Sequence, residues 1–329
     1  MIIPLVGSVY TSGKTSCAML YLVQYLSGEE AGEVELDETK LDDKSYVTEQ
    51  VSSFAPKGMA IVFVSVIQKD KVMLIVAQDR PLEFVIPEMQ CWKRLSSCGK
   101  FVASGGHDDS KVRVWNLQNH KAITLKGHVN WMSCLAISSC AKFVASGAFV
   151  NKVKVWNLKT QLCMNTQTCM TLEGHTGWVN GVCFSPCGKF VASGANDCKV
   201  KIWNLKTREC MTLEGHVQPV RRVAFSPCGK FVASGGHDTK VQVWNLKTRE
   251  CMTLEGHDPP VYCLAYSPCG KFVASGGGDC KIKVWNLQTH ESIALEGHTS
   301  GIRCITYSAC GKFVVSSGFD AQVKMWNMA

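Results

Sequence analysis

Serine, histidine and aspartate recur along this chain of 329 residues at spacings that could build a nucleophilic site. In one segment His175 is followed by Ser193, Asp197 and Trp203, and the first three residue types are those of a hydrolase triad. Four such sets occur: His175, Ser193, Asp197, Trp203; His216, Ser234, Asp238, Trp244; His257, Ser275, Asp279, Trp285; and His298, Ser316, Asp320, Trp326. Four repeated copies favour a structural role over catalysis.

A hydrogen-bond network explains each set without any reaction. The indole N–H of Trp203 can donate to the Ser193 hydroxyl, and the hydroxyl to the imidazole of His175. The imidazole N–H can then donate to the Asp197 carboxylate, so that every polar group has a partner.

These residues belong to a longer internal repeat, which decides the fold. A Gly-His pair recurs at 127, 174, 215, 256 and 297, and each of these five histidines lies 28 residues before the matching tryptophan. Trp-Asn occurs six times at intervals of 41 residues, except for one interval of 47 with extra residues within 161–171; the tryptophans are Trp115, Trp156, Trp203, Trp244, Trp285 and Trp326. The two independent markers therefore recur with the same spacing along the chain.

One repeat unit contains four short predicted strands. They cover residues 179–184, 189–193, 199–204 and 210–213, and a Ser-Pro-Cys-Gly turn follows the first of them. Four strands form a small twisted sheet, which cannot bury both faces alone. Such sheets cover one another when they are stacked radially.

The pattern resembles the WD40 (β-transducin-like) repeat family, whose signature is Gly-His, a Ser-Pro-x-Gly turn, a tight turn ending in Asp, and Trp-Asp. The resemblance covers residues 88–329 and implies an all-β fold, a β-propeller of four-stranded antiparallel blades. It also implies the linkage within the His-Ser-Asp-Trp sets. The implied function is a scaffold, not an enzyme, that binds proteins or peptides within a larger complex and needs no cofactor.

The chain departs from the family pattern in three places. Val150 stands where the second repeat should have its Asp, and Asn151 is a candidate to compensate. The first repeat has Ser104, Asp109 and Trp115, but one extra residue in its tight turn and no upstream Gly-His. All six repeats have Trp-Asn instead of Trp-Asp, which removes negative charge from the strand ends.

A seventh blade and a closing strand are predicted upstream of the six clear repeats. Residues 45–87 parallel the later units, as in Lys71-Val72-Met73-Leu74 against Lys199-Val200-Lys201-Ile202. The final repeat ends too early for its fourth strand, and the alternating segment 33–37 is predicted to supply it and close the ring. The propeller is thus expected over residues 31–329, preceded by a short N-terminal extension at 1–30.

The extension itself is close to a phosphate-binding loop. A strand-like segment, Ile2 to Val6, is followed by Gly7-Ser8 through Lys14-Thr15 and an apolar stretch that reads as a helix. The motif requires glycine where Ser8 stands, and no space remains for the other parts of a nucleotide-hydrolysing domain. The open interpretations are a packed or partly disordered extension, a nucleotide-binding loop and a fragment of a larger domain.

In a propeller of this family, two sets of loops share one face around the central channel, and here they carry large aromatic and arginine side chains. Such residues are typical of binding hot spots, whereas the alternative is that some of them pack against neighbouring loops. The predicted partner-binding residues are Trp131, Phe149, Trp178, Asn196, Arg221, His237, Tyr262, Arg303 and Phe319. We refer to the surface that these nine residues form as the aromatic face.

The opposite face is expected to be basic. Residues 91–329 have a net charge of +14, whereas residues 1–90 have −6. The basic residues in its turns are Lys100, Lys142, Lys189, Lys230, Lys271 and Lys312, with Lys159, Lys206, Arg208, Lys247 and Arg249. Such a field attracts acidic partners, including RNA or anionic lipid headgroups. The alternative is that these are ordinary solvated surface residues, which recur because the repeat was duplicated.

The 18 cysteines fit repeat duplication better than disulfide pairing. Equivalent positions on neighbouring repeats lie too far apart for a bridge, and the absence of any Cys-x-x-Cys pair disfavours a zinc or other metal site. Reduced thiols predict the cytoplasm or nucleus. No segment is expected to cross a membrane or act as a signal peptide. Two alternatives to the scaffold stay open, a nucleotide-linked regulatory protein and an RNA-associated propeller.

Overall fold

The computed structural model describes five strands at 16–22, 62–68, 71–77, 81–87 and 92–95 by their backbone. It then describes residues 96, 100–105, 110–116, 121–158, 169–308, 310–320 and 322–328. In this part of the chain, 27 strands form seven antiparallel sheets, each built from strands that follow one another in sequence. The fold is therefore all-β, as the sequence predicts.

The first three sheets have four strands each. The first contains β1 (Ser16–Leu22), β2 (Val62–Gln68), β3 (Lys71–Ala77) and β4 (Pro81–Pro87). The second contains β5 (Trp92–Leu95), β6 (Phe101–Gly105), β7 (Val112–Asn116) and β8 (Lys121–Leu125). The third contains β9 (Met132–Ile137), β10 (Phe143–Ala148), β11 (Val150–Asn157) and β12 (Met170–Glu173).

The remaining sheets follow the same plan, but the last has three strands in the described part. The fourth contains β13 (Val179–Phe184), β14 (Phe190–Ala195), β15 (Lys199–Asn204) and β16 (Cys210–Glu214). The fifth contains β17 (Val220–Phe225), β18 (Phe231–Gly236), β19 (Val241–Asn245) and β20 (Cys251–Leu254). The sixth contains β21 (Val261–Tyr266), β22 (Phe272–Gly277), β23 (Lys281–Asn286) and β24 (Ser292–Glu296), and the seventh β25 (Ile302–Tyr307), β26 (Phe313–Gly318) and β27 (Val323–Asn327).

The second strand of each repeat, with a sequence such as Phe-Val-Ala-Ser-Gly, lies in the most crowded layer. In β14 every residue after Phe190 is buried. A Cβ on Gly194 would lie only 2.5 Å from the Cγ1 of Val220 in the next sheet. Small residues are therefore required here because the neighbouring sheet approaches the backbone closely.

The Ser-Pro-Cys-Gly turn joins the first two strands of a sheet. The N–H of Gly188 donates to the carbonyl oxygen of Ser185 at 2.8 Å, and the N–H of Ser185 donates to that of Phe190 at 2.9 Å. Gly188 has a φ of +68°, a conformation that glycine adopts without steric cost. The turn therefore fixes a tight hairpin at the same point of each repeat.

Hydrophobic clusters join each sheet to the next. One cluster packs Val155 and Leu172 of the third sheet against Val179, Val191 and Trp203 of the fourth. Equivalent clusters join the second sheet to the third, and each sheet from the fourth to its successor. Each fully buried Val, Leu or Ile contributes about 1.5–3 kcal/mol. The sheets from the second to the seventh thus stack in chain order, as in a propeller.

The apolar stretch after the phosphate-loop-like segment was predicted as a helix, and that prediction is wrong. Residues 16–22 form β1, which pairs with β2 along its whole length, from Ser16 opposite Gln68 to Leu22 opposite Val62. Strand β2 is rich in β-branched residues, and the continuous antiparallel ladder that it offers outweighs a local helical preference.

Six described sheets correspond to the six clear repeats, and the first sheet lies before them. Residues 71–74 belong to its third strand, the position that the sequence parallel assigns to them. The predicted closing segment, 33–37, lies outside the described residues. The count of seven blades and the closure of the ring therefore stay predictions.

Candidate functional site

Four buried networks support the loops of the aromatic face. In the fourth sheet the Nδ1 of His175 lies 2.8 Å from the Oδ2 of Asp197, and its Nε2 lies 2.8 Å from the Oγ of Ser193. The indole N–H of Trp203 donates to the same Oγ at 2.8 Å. The three contacts recur within 2.7–3.0 Å in the sets of His216, His257 and His298.

The aspartate of each network also holds the loop backbone. Asp197 accepts hydrogen bonds from the N–H groups of Thr176, at 2.9 Å, and of Lys199, at 3.1 Å. Burial opposes ionisation of this carboxyl, but the hydrogen bonds from His175 and Thr176 outweigh it, and its pKa lies below the usual range. The carboxylate therefore joins two loops that follow different strands.

The network serines are enclosed by the fold. Ser193, Ser234 and Ser275 are fully buried, and each hydroxyl already contacts a histidine and a tryptophan. Burial and these hydrogen bonds fit the structural role that the sequence predicts for the sets better than a nucleophilic one.

The network of the third sheet is incomplete, because Val150 replaces the aspartate. The Nε2 of His128 lies 2.7 Å from the Oγ of Ser146, but its buried Nδ1 has no hydrogen-bond partner. The indole of Trp156 donates to the carbonyl oxygen of Lys126 at 3.4 Å. The proposed compensation by Asn151 is therefore wrong, since this exposed residue does not reach the imidazole.

Burial of this imidazole without a partner for its Nδ1 affects the protonation of His128. Its pKa is lowered to about 4, chiefly because burial penalises the charged imidazolium and also because Lys154 is nearby. In the neighbouring set His175 has a carboxylate partner. The third sheet thus has the least satisfied of the five networks that contain a Gly-His histidine.

An aromatic cluster crosses the boundary between the third and fourth sheets. The rings of Phe149 and Trp178 are stacked, with centroids 4.8 Å apart, and those of Trp131 and Phe149 lie 6.0 Å apart. Trp131 and Trp178 each have 51% of their surface exposed. Beside them is an open groove of about 330 Å³, lined by Phe149, Val150, Asn151, Thr176, Gly177, Trp178 and Asn196.

Backbone hydrogen bonds hold the two loop types of the face together. The N–H of Phe149 donates to the carbonyl oxygen of Trp131, and that of Asn196 donates to that of Trp178, both at 2.8 Å. The side chain of Asn196 in turn accepts from the Nδ2 of Asn180 at 2.8 Å. The predicted residues of these repeats are therefore neighbours.

A second aromatic cluster joins the sixth and seventh sheets. The rings of Tyr262 and Phe319 meet edge to face, with centroids 6.4 Å apart. The guanidinium of Arg303 lies 4.7 Å from the centre of the Phe319 ring, within the range of a cation–π contact. Phe319 is 49% exposed.

Arg221 and His237 form a polar pair on the fifth sheet, between the two clusters in chain order. The Nε of Arg221 donates to the Nε2 of His237 at 2.6 Å. Burial lowers the pKa of both side chains, and the nearby Arg221 lowers that of His237 further. A neutral imidazole is the form that can accept this hydrogen bond.

Two exposed apolar residues of this face were missed. Val129 and Val217 follow the Gly-His histidines directly and are 89% and 77% exposed. Other repeats have Thr176 or Thr299 at the corresponding position. The sequence signal that could have identified the two valines is therefore an apolar residue at a turn position that is polar in other repeats.

The opposite face presents the predicted lysines to solvent. All six lysines of the first turn type are exposed, as are Lys206, Arg208, Lys247 and Arg249, whereas Lys159 lies outside the described residues. A role in binding acidic partners stays a prediction.

Other predicted sites receive no support. Residues 8–15 and Asp109 lie outside the part of the structure that is described. Where side chains are described, no three His, Cys, Asp or Glu residues converge as a metal site would require. Among the described residues no helix is long and apolar enough to cross a membrane.

Six segments of the chain match the family model of the WD domain, G-beta repeat. The matches cover residues 90–116, 120–157, 166–204, 207–245, 248–286 and 289–327, which together exceed half of the chain. No curated protein matches it.

Proposed function

Because the chain belongs to the WD40 repeat family, whose repeats indicate a protein-interaction scaffold, we propose that its aromatic face binds a protein or peptide. We further propose that it does so without catalysis, within a larger complex in the cytoplasm or nucleus.

The observation that carries this proposal is the cluster of Trp131, Phe149 and Trp178. Soluble proteins seldom leave two tryptophans half exposed side by side, and aromatic residues are enriched at binding hot spots. Phe149 already stacks on Trp178 in the free protein. A partner would therefore bury this surface without having to order it first.

The second cluster indicates what else a partner would carry. Arg303 lies over Phe319, and Arg221 lies on the intervening sheet, so cationic groups accompany the apolar surface. A peptide with an aromatic or large aliphatic side chain and a nearby carboxylate fits this combination.

The test is affinity purification with quantitative mass spectrometry. A Trp178→Ala, Arg221→Glu variant is compared with the intact protein and with an Ile293→Ala, Arg249→Glu control, which removes an exposed apolar residue and a charge elsewhere. We expect partner recovery to fall at least about tenfold for the first variant and not for the control, as hot-spot truncations do. If partners are recovered equally well with the Trp178→Ala, Arg221→Glu variant and with the control variant, the proposal is contradicted.

The exposed lysines favour one alternative, an RNA-associated propeller. Charge reversal at Lys189, Lys230 and Lys271 should then abolish salt-dependent RNA retention. The nucleotide-linked alternative depends on residues 8–15; its test is retention on a nucleotide resin that is lost with Lys14→Ala.

A further inference from the structure

The Ser-x-Cys-Gly turns hold cysteines in one repeated environment on the basic face. The Oγ of Ser185 accepts the N–H of Phe190 at 3.0 Å and lies 3.3 Å from the Sγ of Cys187. The same two distances recur in the turns that contain Cys228, Cys269 and Cys310. All four thiols are exposed.

This geometry favours ionisation of the thiol. Because the serine oxygen accepts the Phe190 N–H, its own proton is available to donate to the sulfur. Partial desolvation of Cys187 opposes ionisation, but the Ser185 hydroxyl, the backbone N–H groups of the turn and the charge of Lys189 lower its pKa. The same groups lower the pKa of Cys228, Cys269 and Cys310.

The chain contains its own controls, Cys210 and Cys251, which are exposed on outer strands. The sulfur of Cys210 lies 3.8 Å from the carbonyl oxygen of Met211, an acceptor that favours the protonated thiol. Desolvation raises the pKa of both residues. Exposure alone therefore does not distinguish the turn cysteines from these two.

The four turns lie against one another and share a positive charge. A Cβ on Gly229 would lie 3.6 Å from the Cδ of Pro186 in the preceding turn, and the next two junctions have the same spacing. Each turn carries an exposed lysine: Lys189, Lys230, Lys271 or Lys312. The thiols thus lie along a continuous basic rim, which attracts anionic reagents.

We propose that these four turns are S-thiolation sites, at which an anionic low-molecular-weight disulfide of the glutathione type forms mixed disulfides with Cys187, Cys228, Cys269 and Cys310. The thiolate of Cys187 attacks one sulfur of the disulfide, and a protein–glutathione bond forms as the original S–S bond breaks. The leaving glutathione thiolate takes a proton from water. The disulfide is the oxidant, and the cysteine is oxidised.

Each adduct changes the charge of the rim. A glutathionyl group carries more carboxylates than ammonium groups, so it places negative charge beside Lys189 and its equivalents. Successive thiolation would therefore weaken the positive field that the basic face presents to acidic partners.

The first experiment measures occupancy at each cysteine. The folded full-length protein is incubated with glutathione disulfide near neutral pH, quenched with acid and N-ethylmaleimide, digested and analysed by mass spectrometry. We expect the four turn cysteines to react at least about fivefold faster than Cys210 and Cys251, because reaction rate follows thiolate fraction and access. Equal or faster reaction at Cys210 and Cys251 would overturn the proposal.

Two variants separate the contributions of hydrogen bond and charge. Ser185→Ala removes the donor and Lys189→Gln removes the charge, while the other three turns remain as internal references. The ratio of Cys187 to Cys228 occupancy should fall about threefold or more in Ser185→Ala, and to a smaller extent in Lys189→Gln. The buried Cys263 reports any unfolding, since burial raises the pKa of its thiol and excludes the reagent.

A neutral reagent tests the attraction of the rim. At low salt, hydroxyethyl disulfide should show a smaller preference for the turn cysteines over Cys210 than glutathione disulfide shows. Added salt should reduce this difference between the two reagents, because it screens the attraction of the anionic one. If Ser185→Ala and Lys189→Gln both leave the ratio of Cys187 to Cys228 occupancy unchanged while the buried Cys263 stays unreacted, the proposed role of the turn is overturned.

Discussion

Phe149 stacks on Trp178 across the boundary between two sheets, with ring centroids 4.8 Å apart and ring planes inclined by 23°. Each residue comes from a loop that a backbone hydrogen bond ties to its neighbour, and His175 and Asp197 fix the Trp178 loop from below. The buried networks and the exposed cluster are therefore parts of one arrangement, in which the former position the latter.

Ser193→Ala should destabilise the fold. The substitution removes the shared partner of His175 and Trp203 and leaves two buried nitrogens without a hydrogen bond. We expect the free energy of unfolding to fall by about 2–4 kcal/mol, measured by urea denaturation. Ser146→Ala is the control, because the Trp156 indole does not depend on that hydroxyl. An equal loss in both variants would show that the indole bond contributes nothing.

Val150→Asp should repair the third network. A carboxylate at this position can accept a hydrogen bond from the Nδ1 of His128, which has no partner. The pKa of His128 should then rise from about 4, and the protein should gain about 1 kcal/mol of stability. NMR titration of the imidazole checks the first effect. Asn151→Asp places the same charge one residue away, and a similar rise in that variant would argue against a specific contact.

Acid should destabilise the protein through His128 before its carboxylates are protonated. The folded pKa is about 4 and the ordinary value is 6.5, so the unfolded chain takes up a proton at a higher pH than the folded chain. The contribution to stability is complete above pH 6.5 and is lost as the pH falls toward 4, by about 3 kcal/mol.

Urea denaturation across this pH range measures the loss of stability. Val150→Asp should reduce the slope of the unfolding free energy against pH. The carboxylates of Asp197 and its equivalents have lowered pKa values, so their contribution is present above their unfolded pKa and is lost at lower pH. A wild-type slope that Val150→Asp leaves unchanged would exclude His128 as its source.

Ring closure by residues 33–37 can be tested by substitution. Strand β27 pairs with β26, and the described part of the seventh sheet contains no fourth strand. Val34→Pro, Leu36→Pro should lower the Tm by several degrees if this segment completes the sheet. Deletion of residues 1–40 is less specific, because it also removes β1. An unchanged Tm in the double variant would exclude closure by this segment.

The repeat units could be predicted from the sequence because the strands of each unit are close together in the chain. The Trp-Asn and Gly-His markers, together with a turn such as Ser185 to Gly188, place four strands within a short segment, and β15 has the predicted bounds. The pairing of β1 with β2 was not readable, because it joins strands separated by about 40 residues of chain.

The aromatic face was predictable only in part. The loop positions of Trp178 and Phe149 follow from the register of the repeat, but their stacking depends on how two sheets are inclined. The Arg221–His237 hydrogen bond and the orphaned Nδ1 of His128 depend on side-chain geometry that spacing does not determine.

The most direct test of the account is the affinity of an isolated partner for single variants of the first cluster. Isothermal titration calorimetry should show that Trp131→Ala and Trp178→Ala each weaken binding by about 1–3 kcal/mol, while the control Ile293→Ala leaves the affinity unchanged. Circular dichroism should show all three variants to be folded. Wild-type affinity in both tryptophan variants would contradict the claim that the aromatic face is the binding site.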